Sequence, residues 1–119
     1  MNGPRVILVE DESLVAMMMQ DLLADLGCDV VASFGALGPA LTWLERQTTL
    51  PDGAVLDVNL GGEMVFPLAE ALAARRVPFV FATGYGAVED QRFVYAPLVH
   101  KPVDAGKLAP IMDLFTARS

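Results

Sequence analysis

The sequence holds a single cysteine, Cys28, which excludes an internal disulfide and fits a reducing, cytoplasmic setting. Cationic residues are scarce as well. Eight Lys and Arg stand against fifteen Asp and Glu, for a net charge of -7 and a sequence pI of about 4.4. That balance opposes a direct, non-specific grip on nucleic acid, so proteins and small cations are the expected partners. Long apolar runs are missing too. The longest, such as Arg5-Val6-Ile7-Leu8-Val9, are strand length and cannot cross a bilayer, so no membrane insertion is expected. Met1-Asn2-Gly3-Pro4 leads straight into that run without a signal-peptide pattern. With no internal repeat, low-complexity tract or Pro/Gly/Ser linker, residues 1–119 are expected to form one domain.

Apolar residues are abundant. They make up 54% of the chain, and the mean hydropathy of +0.45 excludes disorder. Val6 to Val9 runs on without polar alternation, as a strand buried on both faces does. Val15, Met18, Met19, Leu22, Leu23 and Leu26 then recur at helical spacing, and Gly27 is placed to close that helix. Further strands are expected at Asp29–Ala32, Ala54–Asn59, Phe79–Ala82 and Leu98–His100. The intervening and final helices are expected at Ala36–Glu45, Phe66–Arg75 and Ala105–Ala117. Strands alternating with helices imply a parallel sheet covered on both faces, and such sheets bind ligands at the carboxyl ends of their strands.

Polar residues fall at those ends. Glu10 and Asp11 follow the first strand, Asp57 lies near the end of the third, Thr83 ends the fourth and Lys101 the fifth. The segment FATGYG, Phe81 to Gly86, joins a hydroxyl to two glycines, which either cap the next helix and turn the chain or frame a place where an anion comes close to the backbone.

In these residues the chain resembles the receiver domain of two-component response regulators. The matching parts are Glu10-Asp11 after Val6-Ile7-Leu8-Val9, Asp57 within Val55-Leu56-Asp57-Val58-Asn59-Leu60, Thr83 within Ala82-Thr83-Gly84, and Lys101-Pro102. The segment FATGYG, with a short stretch before the lysine, further resembles the subgroup known by its FATGUY motif. The resemblance implies a flavodoxin-like, doubly wound α/β fold with strand order 2-1-3-4-5. It also implies Mg²⁺-dependent phosphorylation of Asp57 by a sensor histidine kinase or histidine phosphotransfer protein, with Mn²⁺ as an alternative cation. On this reading the chain is a stand-alone signalling domain with no output domain, a switch or phosphate shuttle acting through a downstream protein partner and not a turnover enzyme.

Carried onto this sequence, the resemblance makes Asp57 the nucleophile. Asp11 and Asp57 become direct metal ligands, Glu10 a ligand through water, and the Asn59 backbone carbonyl another. Three neighbouring carboxylates repel one another, and a hard dication relieves that repulsion. Lys101 neutralises phosphoryl oxygens and Thr83 donates its hydroxyl to them, while Gly84 leaves access open. Tyr85, two residues past the threonine, is expected to slow attack by water. The position that often holds an aromatic ring, three before the lysine, is Leu98.

Only 17 residues, 84–100, separate Thr83 from Lys101, so the fourth helix should be short or mobile. Leu14 and Met17 lie off the core stripe of the first helix and form a candidate partner face, with Met18 and Met19 expected on the stripe. Cys28 and Trp43 read as packing, Asp104 as an N-cap, Glu70 as part of a solvated helix face and His100 as unsuited to phosphorelay; Pro110 has no sequence-level account. Two other functions compete. A haloacid-dehalogenase-type aspartyl-phosphate phosphatase would carry Asp-x-Asp on its first strand, where this chain has adjacent Glu10-Asp11. A pseudo-receiver, a constitutive protein-binding module, would need some defect at positions that are here all filled.

Overall fold

The computed structural model describes residues 3–84, 86 and 88–116. Strands β1 (Arg5–Val9), β2 (Asp29–Phe34) and β3 (Gly53–Asp57) alternate with helices α1 (Ser13–Asp25) and α2 (Leu37–Glu45). A small pair, β4 (Asn59–Leu60) and β5 (Glu63–Met64), precedes α3 (Phe66–Ala74) and β6 (Phe79–Thr83). Then come β7 (Leu98–His100), α4 (Ala105–Leu108) and α5 (Met112–Thr116). The main sheet is parallel, in the order β2-β1-β3-β6-β7. Counted among themselves these five strands run 2-1-3-4-5, as expected.

Alternation along the strands divides the core in two. Ile7, Val9, Leu56 and Phe81 face Leu44, Leu68 and Leu72 of α2 and α3, whereas Val6, Leu8, Val55 and Val80 face Leu23 of α1, Leu108 and Phe115. Gly53 is needed where β3 meets the last helix, because a β-carbon there would overlap the Phe115 ring. Cys28 is buried, which pushes its thiol pKa up, and Trp43 tilts against Phe34 at 5.9 Å.

Helix α1 buries a narrower stripe than its spacing predicts. Ala16, Met19 and Leu23 are buried, but Met18 is 60% exposed beside Leu14 and Met17, both also exposed. Adjacent helix positions diverge by about 100°, and α1 turns the face of Ala16, Met19 and Leu23 to the sheet, which leaves Met18 at the edge of the covered stripe. Gly27, at φ 92°, follows the helix as expected.

The expected third strand stops at Asp57, two residues early, and Asn59 belongs to the β4–β5 hairpin instead. The expected last helix is interrupted by a 3-10 turn over Ala109–Ile111. Pro110 explains the break, since it has no N–H to donate to the helical ladder. Asp104 caps α4 as expected, its Oδ1 accepting from the Lys107 N–H at 2.9 Å.

Among the described residues between Thr83 and Leu98 there is one 3-10 turn, Gln91–Phe93, and no α-helix. Its Phe93 ring stacks on Phe66 at 5.8 Å and meets Phe79 and Phe81 edge-on. Arg92 ion-pairs with Asp90 at 2.7 Å and with Glu70 of α3 at 2.6 Å. Glu70 is therefore tied to this segment, where a freely solvated face was expected. Burying the Phe93 ring is worth roughly 2–3 kcal/mol, more than exposed ion pairs supply, so the ring and not the arginine chiefly holds the turn down.

Candidate functional site at the carboxyl ends of the strands

Each polar residue at the strand ends is carried there by an apolar strand. Glu10 follows β1, and its backbone N–H donates to the Phe34 carbonyl at 2.9 Å. Its side chain is buried, with Oε2 accepting from the Glu12 N–H at 3.1 Å and Oε1 lying 2.7 Å from Lys101 Nζ. Asp11 is exposed beside it, and Asp57, ending β3, is only 8% exposed. One carboxylate oxygen from each of Glu10, Asp11 and Asp57 lies within 4.8 Å of the others. Lys101 Nζ also stands 3.4 Å from Asp57 Oδ2. The lysine backbone N–H donates to the Thr83 carbonyl at 2.8 Å, locking the ends of β6 and β7 together.

Burial, and next the negative charge of Glu10, push the Asp57 pKa up to about 7 against the opposing pull of Lys101, with Asp11 adding to the rise. Burial would lower the pKa of Lys101, but its hydrogen bond to Glu10 and the charge of Asp57 outweigh that and raise it. The site thus holds more negative charge than one ammonium balances. Three close oxygen donors, one of them a carboxyl reluctant to ionise, form a donor set suited to a hard dication.

A cleft of about 740 Å³ opens over these groups. Asp11, Asp57, Asn59, Thr83, Gly84 and Lys101 line it, so the structure gathers these expected residues around one opening. Glu10 reaches the same cluster from below. The Asn59 side chain is engaged locally, its Oδ1 accepting from the Gly62 N–H at 2.6 Å. Leu98 packs against the core away from the cleft, and Leu14 and Met17 sit on the exposed side of α1. The expectation for Tyr85 falls outside the described residues.

Sequence reasoning missed the β4–β5 hairpin and its cleft-lining Met64. The signal was present. Gly61 and Gly62 take φ values of 66° and 100°, the left-handed pair that a two-residue hairpin turn requires, and Gly-Gly is a recognised cue for it.

Over residues 6–112 the chain matches the family model of the response regulator receiver domain. It belongs to that family. The receiver is similar over 98% of its length to SdrG from Sphingomonas melonis Fr1, with 41% identity, 99% of that chain covered and a TM-score of 0.82. A BeF3-activated conformation of SdrG, from Pseudomonas melonis Fr1, aligns at 40% identity and a TM-score of 0.77, covering 96% of this chain and 98% of that one. Among curated proteins, the transcriptional regulatory protein PdtaR of Mycobacterium tuberculosis is 26% identical over 113 residues, 94% of this chain and 50% of its own. The receiver spans about half the length of the curated relatives it matches. No helix among its described residues is long and apolar enough to cross a membrane.

Proposed function

We propose that this receiver accepts one phosphoryl group on Asp57 from the phosphohistidine of a sensor histidine kinase or histidine phosphotransfer protein, in a reaction that requires Mg²⁺ or Mn²⁺. The observation that carries the reading is the packing of Glu10, Asp11 and Asp57 within 4.8 Å around the Lys101 ammonium at the sheet's carboxyl edge. A 40% identical relative with a BeF3-activated conformation supports it. The FATGYG segment supports membership of the FATGUY subgroup, and on this reading the receiver acts in the cytoplasm as a switch or shuttle that signals to a downstream protein partner.

Asp11, Asp57 and the Asn59 carbonyl would hold the metal directly, and Glu10 through water. When bound, the cation supplies the positive charge that keeps Asp57 ionised and offsets phosphoryl charge. An Asp57 carboxylate oxygen attacks phosphorus as the P–N bond to the donor imidazole breaks, the electron pair returning to the ring nitrogen. Lys101 turns its ammonium to a phosphoryl oxygen, and the Thr83 hydroxyl donates to another. Gly84 leaves the approach open and Tyr85 slows hydrolysis. Because Leu98 replaces a swinging aromatic ring, the response at Thr83 leaves by another route.

With Mg²⁺ and acetyl phosphate, intact mass is expected to show one added phosphoryl group, lost when EDTA is present from the start. No adduct, together with no binding of beryllofluoride plus Mg²⁺, would overturn the reading in favour of a protein-binding module. Leu14 and Met17 are proposed to meet the phosphodonor. Leu14→Glu with Met17→Glu should lower transfer from a phosphohistidine protein about tenfold relative to labelling by acetyl phosphate, and an unchanged ratio would remove that face from consideration.

A further inference from the structure

Resting on the receiver reading, we infer that Met64 shields the phosphorylated site from water and so sets how long the acyl phosphate on Asp57 lasts. Met64 is held there by the β4–β5 hairpin rather than carried on a loose loop. Three contacts pin that hairpin. Leu60 is buried in the core, the Val65 N–H donates to the Val58 carbonyl at 2.9 Å, and Asn59 Oδ1 closes the glycine turn. Across the ladder Asn59 pairs with Met64 and Leu60 with Glu63. Side chains alternate, so Leu60 goes to the core while the Asn59–Met64 pair faces the cleft, which both line.

The turn itself reaches the acidic cluster. A β-carbon on Gly61 would stand 3.8 Å from Asp11 Oδ2. Met64 is 46% exposed, a large apolar side chain kept at the mouth of the cleft that holds Asp57 and outside both core clusters. With Val88 and Phe66 it forms the apolar part of the cleft wall. A flexible thioether can settle over a newly bound group without being built to one shape.

The step it would hinder is hydrolysis. A water oxygen attacks phosphorus, the P–O bond to Asp57 breaks, and the products are the free carboxylate, inorganic phosphate and a proton released to solvent. Water must come through the open cleft, and an apolar cover lowers its occupancy beside the phosphorus.

The test follows the phosphoryl adduct by intact mass after removal of donor, with Mg²⁺ present, which reads decay independently of how fast the adduct formed. Met64→Ala and the similarly long but polar Met64→Gln are expected to shorten its lifetime by about threefold or more, whereas Met64→Leu keeps it within about twofold of wild type. Melting temperatures of the free proteins check that all fold. If the adduct forms and decays equally in all four proteins, or decays fast in the leucine variant too, the cover is refuted while the receiver reading stands. If the wild type takes no phosphoryl group from acetyl phosphate and binds no beryllofluoride, the receiver reading falls and this inference with it.

Discussion

Without divalent cations, Asp57→Asn is expected to melt about 4–8 °C above the wild type at pH 8, although it removes the proposed phosphoacceptor. The cause is the crowding of charge. Burial and Glu10 raise the folded-state pKa of Asp57 from 3.8 to about 7. Between these values the folded protein binds a proton that the unfolded chain has released, so stability falls as pH rises through that window. Asn mimics the protonated acid and escapes the loss. Allowing for water reaching the open cleft, the difference amounts to about 1–2 kcal/mol. It should shrink as pH falls toward the unfolded value of 3.8 and vanish below it, where both states are protonated. Saturating Mg²⁺ should raise the wild-type melting temperature more than that of the variant. A thermal series from pH 4 to 8 with and without Mg²⁺ checks this, and a variant less stable than wild type at pH 8 without metal would contradict it.

Lys101→Ala should act in the opposite direction. Lys101 Nζ lies 2.7 Å from Glu10 Oε1, and the Glu10 side chain is only 2% exposed. Its removal leaves a buried carboxylate without its ammonium, costing about 2–3 kcal/mol, less than a fully buried pair because the lysine is partly open to solvent. Urea unfolding at pH 7 measures the loss. Adding Glu10→Gln should return most of it, and a double variant no more stable than Lys101→Ala would show that the pair does not carry the effect. Labelling by acetyl phosphate should fall about a hundredfold, the scale set by losing one preorganised charge from such a site. The two effects separate by pH. The raised Lys101 pKa means its contribution persists below the unfolded value of 10.5 and fades only as pH climbs through the folded one, whereas that of Asp57 changes between about 4 and 7.

The sheet was legible because parallel strands buried on both faces leave no room for polar residues except at their tips, so Glu10, Asp57, Thr83 and Lys101 each stood out. Topology alone then brought them together. The β4–β5 hairpin was not legible from periodicity, because two residues per strand cannot show a period, and its only mark was Gly61-Gly62. Met18 was misplaced because the apolar stretch of α1 is broader than the stripe the sheet can cover. The break at Pro110 was visible as a difficulty, but its form, a 3-10 turn between two short helices, depends on Leu108 and Phe115 both reaching the core. Phe93 follows no local rule at all. Its partners Phe66, Phe79 and Phe81 come from α3 and β6, and only the folded chain brings the four rings together.

That ring cluster gives the connection into β7 an unusual tolerance for changes in length. In a helix, one inserted residue rotates every later side chain by about 100° and moves the whole buried face off its partner. Here one ring is the chief anchor of the turn, and the next two residues, Val94 at 41% and Tyr95 at 99% exposure, contribute little to the interior. An insertion after Phe93 therefore displaces mostly solvated surface and leaves the register of β7, with Lys101 at its end, unaltered. The outward shape of this stretch can thus change without disturbing the acidic cluster behind it.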